Sequence, residues 1–352
     1  MNTTAGVPET SFPPRSRWQR LAPAFTLLVL APVIAEVLSG ATRLSFIIVL
    51  IPEIMVWGCG ALIAREAVRR WRGGWTSLLL LGLALSVAEE FIIQQTSLAP
   101  IPWLGATESF GRVWGVNWIF FLYMLGYESV WVVLVPVQLT ELLFPDRRRE
   151  PWLRGGGLII SGVIFVFGCF VAWFLWTQQA RPHVFHVPKY TPPFAAIFAG
   201  LLAIVLLIFA AFAIRRGPQN PPLTTRSAPQ PWLVVLGVMF LGFPWYVLIS
   251  MVFAPTIARG ISFWVAMIAG IAWALGAYLL IRRWSSSSGW SDIHRWALVF
   301  GAVLVSMTAG FLGSNTWPRM DIVAKAILNV IALLGLLALA RSISHREPPS
   351  SR

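Results

Sequence analysis

The stretch that decides the fold is residues 75–95, which read WTSLLLLGLALSVAEEFIIQQ. Its first fourteen residues carry no charge. A helix of about 20 mainly apolar residues is long enough to cross the roughly 30 Å hydrocarbon core of a bilayer. The segment then continues into two adjacent acidic residues, Glu89 and Glu90. One stretch therefore predicts both a membrane-spanning helix and a place where chemistry could occur.

The composition of the whole chain extends this prediction. Of the 352 residues, 57% are hydrophobic and 12% are charged, whereas a soluble domain carries about 25% charge. This excludes a soluble enzyme, a disordered chain and a fibrous repeat. We expect an all-α, polytopic transmembrane helix bundle of about ten spans, at residues 22–38, 44–64, 75–95, 114–143, 156–177, 193–214, 232–253, 261–281, 295–312 and 321–340. The fourth span is long, and we expect a tilt or a break near Gly126 or Pro136.

The basic residues predict the orientation of these spans. Twenty of the 27 Lys and Arg residues lie in the two tails and the even-numbered connections, six lie in the odd-numbered connections, and Lys325 lies within a span. Because cytoplasmic loops are enriched in Lys and Arg, both termini are predicted to be cytoplasmic. The net charge of +13 then indicates contact with anionic lipid headgroups and not with nucleic acid.

The chain divides into four predicted regions. Residues 1–21 are a cytoplasmic tail, and residues 22–145 are a four-helix membrane half that carries the intramembrane acids. Residues 146–341 are a six-helix half with a supporting role, and residues 342–352 are a second cytoplasmic tail.

Five glutamates lie inside predicted spans, and all belong to the first four: Glu36, Glu53, Glu89, Glu90 and Glu128. With a rise of about 1.5 Å per residue, they lie between the membrane midplane and the outer interface. Acidic residues at this depth are costly, and they commonly mark ion or proton pathways. We therefore interpret Glu53, Glu89, Glu90 and Glu128 as coupling or general-base candidates, and Glu36 as a binding residue. The alternative is that they are neutral acids that bond helices together.

Helical spacing adds neighbours to these acids. Gln94 follows Glu90 by four residues and shares its face. Asn117 precedes Glu128 by eleven residues, which is about three turns, and Trp131 continues near the same stripe. We predict that these three residues, with Glu36, line the binding site.

Three other ionisable residues within or near the spans have a conventional interpretation and a functional one. Lys325 is predicted to extend toward the interface or pair with Asp321, and it could instead serve as a counter-ion for the glutamates. His183 and His186 are predicted to be solvated loop residues, because prolines flank them. Their spacing could also supply two ligands of a divalent metal site, which would need a carboxylate from elsewhere.

Two resemblances follow from particular residues. Residues 88–94, AEEFIIQ, are similar to the first motif of the CPBP (CAAX-protease and bacteriocin-processing) intramembrane peptidases, which is two glutamates, three residues and an arginine; here Gln94 replaces the arginine. The resemblance implies that Glu89 and Glu90 activate water. Residues 31–40, 64–70 and 126–131 resemble a group of uncharacterised bacterial multi-pass membrane proteins, which implies a bacterial inner-membrane location.

Three functions stay open at this point. The first is a proton- or cation-coupled transporter of an unknown small solute or ion, in which the carboxylates bind and release the coupling ion. The second is an intramembrane hydrolase or lipid-modifying enzyme, with Glu89 or Glu90 as general base and Glu53 or Glu128 as its partner. The third is an accessory subunit without catalysis. The chain has no phosphate-binding loop or dinucleotide fingerprint, and no cofactor is evident.

Overall fold

The computed structural model describes residues 16–102, 109–214, 227–254, 256–312 and 314–346. Most of the predicted N-terminal tail (1–15) and the end of the C-terminal one (347–352) lie outside these ranges. The described chain forms ten long helices, two single 3-10 turns at Pro145–Arg147 and Ser314–Thr316, and one short hairpin. The helices are α1 (Trp18–Val37), α2 (Leu44–Arg70), α3 (Trp75–Ile93), α4 (Trp118–Leu143), α5 (Gly155–Val184), α6 (Phe194–Ala213), α7 (Pro231–Phe253), α8 (Phe263–Ser285), α9 (Asp292–Ala309) and α10 (Arg319–Arg346).

Nine of these helices, all except α9, are long and apolar enough to cross a membrane, counted over the described ranges. The prediction of a helical membrane bundle is thus confirmed. Helix α9 coincides with the predicted ninth span, but its first turn carries Asp292, His294 and Arg295. The number of crossings and the orientation of the chain stay predictions.

Most predicted span boundaries differ from the structure by a few residues, and two of these differences have a visible cause. Helix α4 begins at Trp118 because the preceding residues form an antiparallel hairpin of β1 (Arg112–Val113) and β2 (Val116–Asn117). Helix α5 extends to Val184, because its last residues, which include Pro182, continue as wide π-type helical turns. The expectation that prolines keep His183 out of a helix is therefore wrong.

Helix α4 is shared by two hydrophobic cores. In the first core, Val132 and Val133 of α4 pack with residues of α1, α2 and α3 such as Leu27 and Leu62. In the second, the other face of α4 packs with α7, α9 and α10. The predicted boundary between residues 145 and 146 therefore follows α4 in sequence but does not separate the two cores.

The outer surface of the bundle is apolar. Large exposed side chains cover α6 and α8, among them Phe198, Phe209, Ile268 and Leu275. A soluble protein rarely exposes contiguous apolar surface on this scale. Hydrocarbon is the medium that such a surface fits.

Residues near several basic segments meet at one end of the bundle. Arg65 on α2 contacts Glu141 at the end of α4. Arg147 donates to the carbonyl of Arg20, and Arg148 pairs with Asp292 at the start of α9. We call this the arginine end. At the opposite end, Asp321 accepts hydrogen bonds from Ser45.

Candidate functional site

Each of the five predicted glutamates lies in, or directly before, a wide π-type helical turn. These turns are Val33–Val37, Ile54–Gly58, Glu89–Ile93 and Glu128–Leu134. In such a turn an N–H bonds the carbonyl five residues earlier, as Gln94 N does with Glu89 O at 3.0 Å. Single π turns inside α-helices are rare and are frequent at functional sites. The coincidence places irregular backbone beside every one of these acids.

The three deepest glutamates form what we call the inner group: Glu89, Glu90 and Glu128. They are only 2%, 0% and 1% exposed. Within the described residues, no donor makes a regular hydrogen bond to either carboxyl oxygen of Glu128, which lies near the Ser86 hydroxyl, or to Glu89 Oε2 and Glu90 Oε1. Glu128 interacts electrostatically with both Glu89 and Glu90. The three acids of α3 and α4 therefore lie within electrostatic range of one another.

Glu90 is fixed by the segment that follows α3. Its Oε2 accepts hydrogen bonds from Thr96 Oγ1 at 2.7 Å and Ser97 Oγ at 2.5 Å. The carbonyl of Ser97 accepts the backbone N–H of Asn117 at 2.9 Å. One carboxyl oxygen of Glu90 is therefore held, and the other is left without a partner.

Asn117 is the N-cap of α4. Its Oδ1 accepts the N–H of Phe120 at 2.9 Å, and its Nδ2 donates to Ser109 Oγ at 2.6 Å. Such a cap satisfies a backbone donor that the helix itself leaves free. Asn117 was predicted to line the binding site; its side chain is occupied in orienting the helix that carries Glu128.

Glu36 and Glu53 form a second group, the outer pair. Thr42 Oγ1 donates to Glu53 Oε1 at 2.5 Å and lies 3.4 Å from Glu36 Oε2. Both glutamates are partly exposed, in contrast to the inner group. Glu36 also interacts electrostatically with Glu89 and Glu128. The outer pair therefore adjoins the inner group.

The remaining predicted binding residues have different positions. Gln94 is partly exposed at the end of the α3 wide turn. Trp131 is 4% exposed, donates from Nε1 to the Ala302 carbonyl at 2.8 Å, and stacks on Tyr127. Because its only polar atom is occupied, Trp131 serves as packing between α4 and α9.

No ion pair joins any of the five glutamates to a basic side chain within the described ranges. Lys325 Nζ instead donates to the carbonyls of Leu38 and Met307, at 2.8 and 3.0 Å. The predicted pairing of Lys325 with Asp321 is wrong, because Asp321 accepts from the backbone N–H and the hydroxyl of Ser45.

The predicted metal ligands lie apart from the carboxylates. His183 is exposed in the last turn of α5, and His186 is exposed beyond it with φ of +54°. Among the described side chains, no group of three His, Cys, Asp or Glu is placed to hold a metal ion. A divalent metal at these histidines stays a prediction.

Sequence reasoning missed a buried charge network at the arginine end. Arg65 is 1% exposed and contacts Glu66 at 3.0 Å and Glu141 at 3.2 Å. Its guanidinium also lies 3.5 Å from the ring centroid of Trp152 and donates to the carbonyls of residues 147, 148 and 150. Arg69, one turn later, binds the same Glu141. The i, i+4 spacing of Arg65 and Arg69 could have indicated a shared carboxylate partner. In the sequence analysis the two arginines were counted only as positive charges that orient the spans.

Comparison of the chain with protein-family models, with curated proteins and with solved structures finds no match. The interpretation of the site therefore rests on its own geometry. The resemblances drawn from residues 88–94 and from the longer stretches stay predictions.

Proposed function

We propose that this protein is a transporter that couples the movement of a small solute or ion to protons or another small cation. The observation that carries the proposal is the inner group: three buried glutamates, four of whose carboxyl oxygens accept no regular hydrogen bond from the part of the chain that the structure describes. An ionised carboxylate that is buried without a partner costs several kcal/mol. These groups therefore need a bound proton or cation, which is the property that a coupling site requires.

The wide turns support the same proposal. A π turn holds one more residue than an α turn, so the helix can shift register at that point with little loss of backbone bonding. Transporters commonly bind their ions at interrupted helices near the bilayer midplane. Four helices, α1 to α4, carry such a turn beside a glutamate.

An intramembrane hydrolase is the second candidate. The observation that favours it is that Glu89, Glu90 and Glu128 lie within electrostatic range of one another. A glutamate general base with an acidic partner would also need such neighbours. A hydrolase would cleave its substrate without any ion gradient. The two functions are therefore separated by whether activity follows an imposed potential.

We place the protein in the bacterial cytoplasmic membrane with both termini in the cytoplasm. The excess of Lys and Arg in the tails and even-numbered connections supports this orientation. Anionic lipid headgroups are the partner that the arginine end would contact.

The test is proton uptake by liposomes that contain the purified protein and an internal pH-sensitive dye. A membrane potential is imposed, and the wild type is compared with Glu89→Gln/Glu90→Gln and with Glu128→Gln. We expect uptake by the wild type and none above protein-free liposomes for the variants, because glutamine cannot bind and release a proton.

The matched control is Glu150→Gln, whose side chain is half-exposed at the arginine end. It should take up protons like the wild type. Silence of the folded wild type, or equal uptake by all variants, would contradict proton coupling. Peptide or lipid hydrolysis that does not depend on the potential would favour the enzyme instead.

A further inference from the structure

The Thr42 hydroxyl lies between the two carboxyls of the outer pair. Its Oγ1 is 2.5 Å from Glu53 Oε1 and 3.4 Å from Glu36 Oε2. A hydroxyl has one proton to donate and lone pairs that can accept another. Thr42 therefore donates to Glu53, and its lone pairs can accept from a protonated Glu36 once the 3.4 Å separation shortens to the usual O–H···O length.

The backbone around Thr42 holds this hydroxyl in place. The N–H of Thr42 and the N–H of Gly40 both donate to the carbonyl of Glu36 at 3.0 Å. Gly40 has φ of +86° and leaves no room for a side chain against Trp317 and Lys325. The short connection between α1 and α2 is thus locked onto the wide turn that carries Glu36.

Thr42 also lines a small pocket at the end of the bundle opposite the arginine end. The pocket has space for about one water molecule, and its charged lining is Arg43, Asp321 and Lys325. On the inward side, Glu36 interacts with Glu89 and Glu128. Thr42 therefore lines the pocket and also contacts Glu36, which lies within electrostatic range of the inner group.

We propose that Thr42 is a proton-relay residue that links Glu36 to Glu53 at the entrance of the transport site. The acid proton of Glu36 moves to Thr42 Oγ1, while the hydroxyl proton of Thr42 moves to the Glu53 carboxylate. Glu36 is left ionised, Glu53 becomes the acid, and the hydroxyl is regenerated. The inference rests on the proposed transport function, and it identifies the coupling ion as a proton.

The experiment compares Thr42→Val, which has the same shape but no hydroxyl, with Thr42→Ser, which keeps the hydroxyl. Both are measured in the liposome assay against the wild type and Glu128→Gln. We expect Thr42→Val to slow proton uptake by about tenfold or more, since a hydrogen bond to a charged group is lost. Thr42→Ser should stay within about twofold of the wild type, because the relay needs only the hydroxyl.

Equal uptake by Thr42→Val and the wild type would overturn the relay and leave the transport proposal intact. A silent wild type would overturn both. If Thr42→Val does not fold, Thr42→Ala serves as the variant without a hydroxyl. Uptake by Thr42→Ser that is as slow as uptake by Thr42→Val or Thr42→Ala would also overturn the relay.

Discussion

Glu141 shows how a single carboxylate can hold one end of the molecule together. It is 4% exposed and accepts from Arg65 and Arg69. Removing one partner of a buried ion pair leaves the other charge uncompensated. We expect Glu141→Ala to lower the free energy of unfolding by about 3 kcal/mol, measured by denaturation in detergent micelles.

The control for this prediction is Glu150→Ala. The Glu150 side chain is half-exposed beside Arg147, and such pairs contribute about 1 kcal/mol or less. Equal losses of stability in the two variants would mean that burial of Glu141 has no special weight.

Individual residues also mark the limit of sequence reasoning. The intramembrane glutamates could be selected from the sequence because acids are rare inside apolar runs. The partners of Lys325 could not, because its Nζ binds two backbone carbonyls, those of Leu38, 287 residues away in sequence, and of Met307 on the preceding helix. The role of Arg65 was hidden for the same reason, since Glu141 lies 76 residues away in sequence.

At the scale of elements, the start of α4 depends on its cap. We expect Asn117→Ala to lower the free energy of unfolding by about 1 kcal/mol, the usual effect of losing an N-cap side chain. Asn117→Ser keeps an acceptor for the first turn and should lose less. The measurement is the unfolding free energy of both variants in detergent, and an unchanged value for alanine would refute the capping role.

The wide turns are the elements that the sequence did not predict. Hydropathy locates an apolar helix, but one extra residue in a turn leaves the average hydropathy of the segment unchanged. A tilt or break of the fourth span had been expected near Gly126 or Pro136; the irregular segment of α4 is the wide turn Glu128–Leu134, which lies between these two residues. The predicted start of the fourth span was also too early, because residues 112–117 pair as a hairpin.

At the scale of the whole molecule, the arginine distribution predicts where each connection lies. Single cysteines at Thr256, Ser288 and Ser314 follow α7, α8 and α9 in turn. In a variant without Cys59 and Cys169, a membrane-impermeant thiol reagent should label Thr256→Cys and Ser314→Cys from outside intact cells. It should label Ser288→Cys only after permeabilisation.

This labelling pattern also tests whether α9 crosses the membrane. The polar first turn of α9 makes it less apolar than the other nine helices. Its remaining residues nevertheless pack in the second core against α7 and α10. Labelling of Ser314→Cys only after permeabilisation would contradict the ten-span topology.

Proton coupling by the inner group is tested most simply by one comparison. The initial rate of potential-driven proton uptake is measured for liposomes that contain the wild type and for liposomes that contain Glu128→Gln. Among the described residues of the inner group, Glu128 is the one for which both carboxyl oxygens are buried and accept no regular hydrogen bond. We expect uptake by the wild type and, for the folded variant, a rate equal to that of protein-free liposomes. Equal, measurable uptake by both proteins would contradict it, and the inner group would then have to be regarded as a structural contact between α3 and α4.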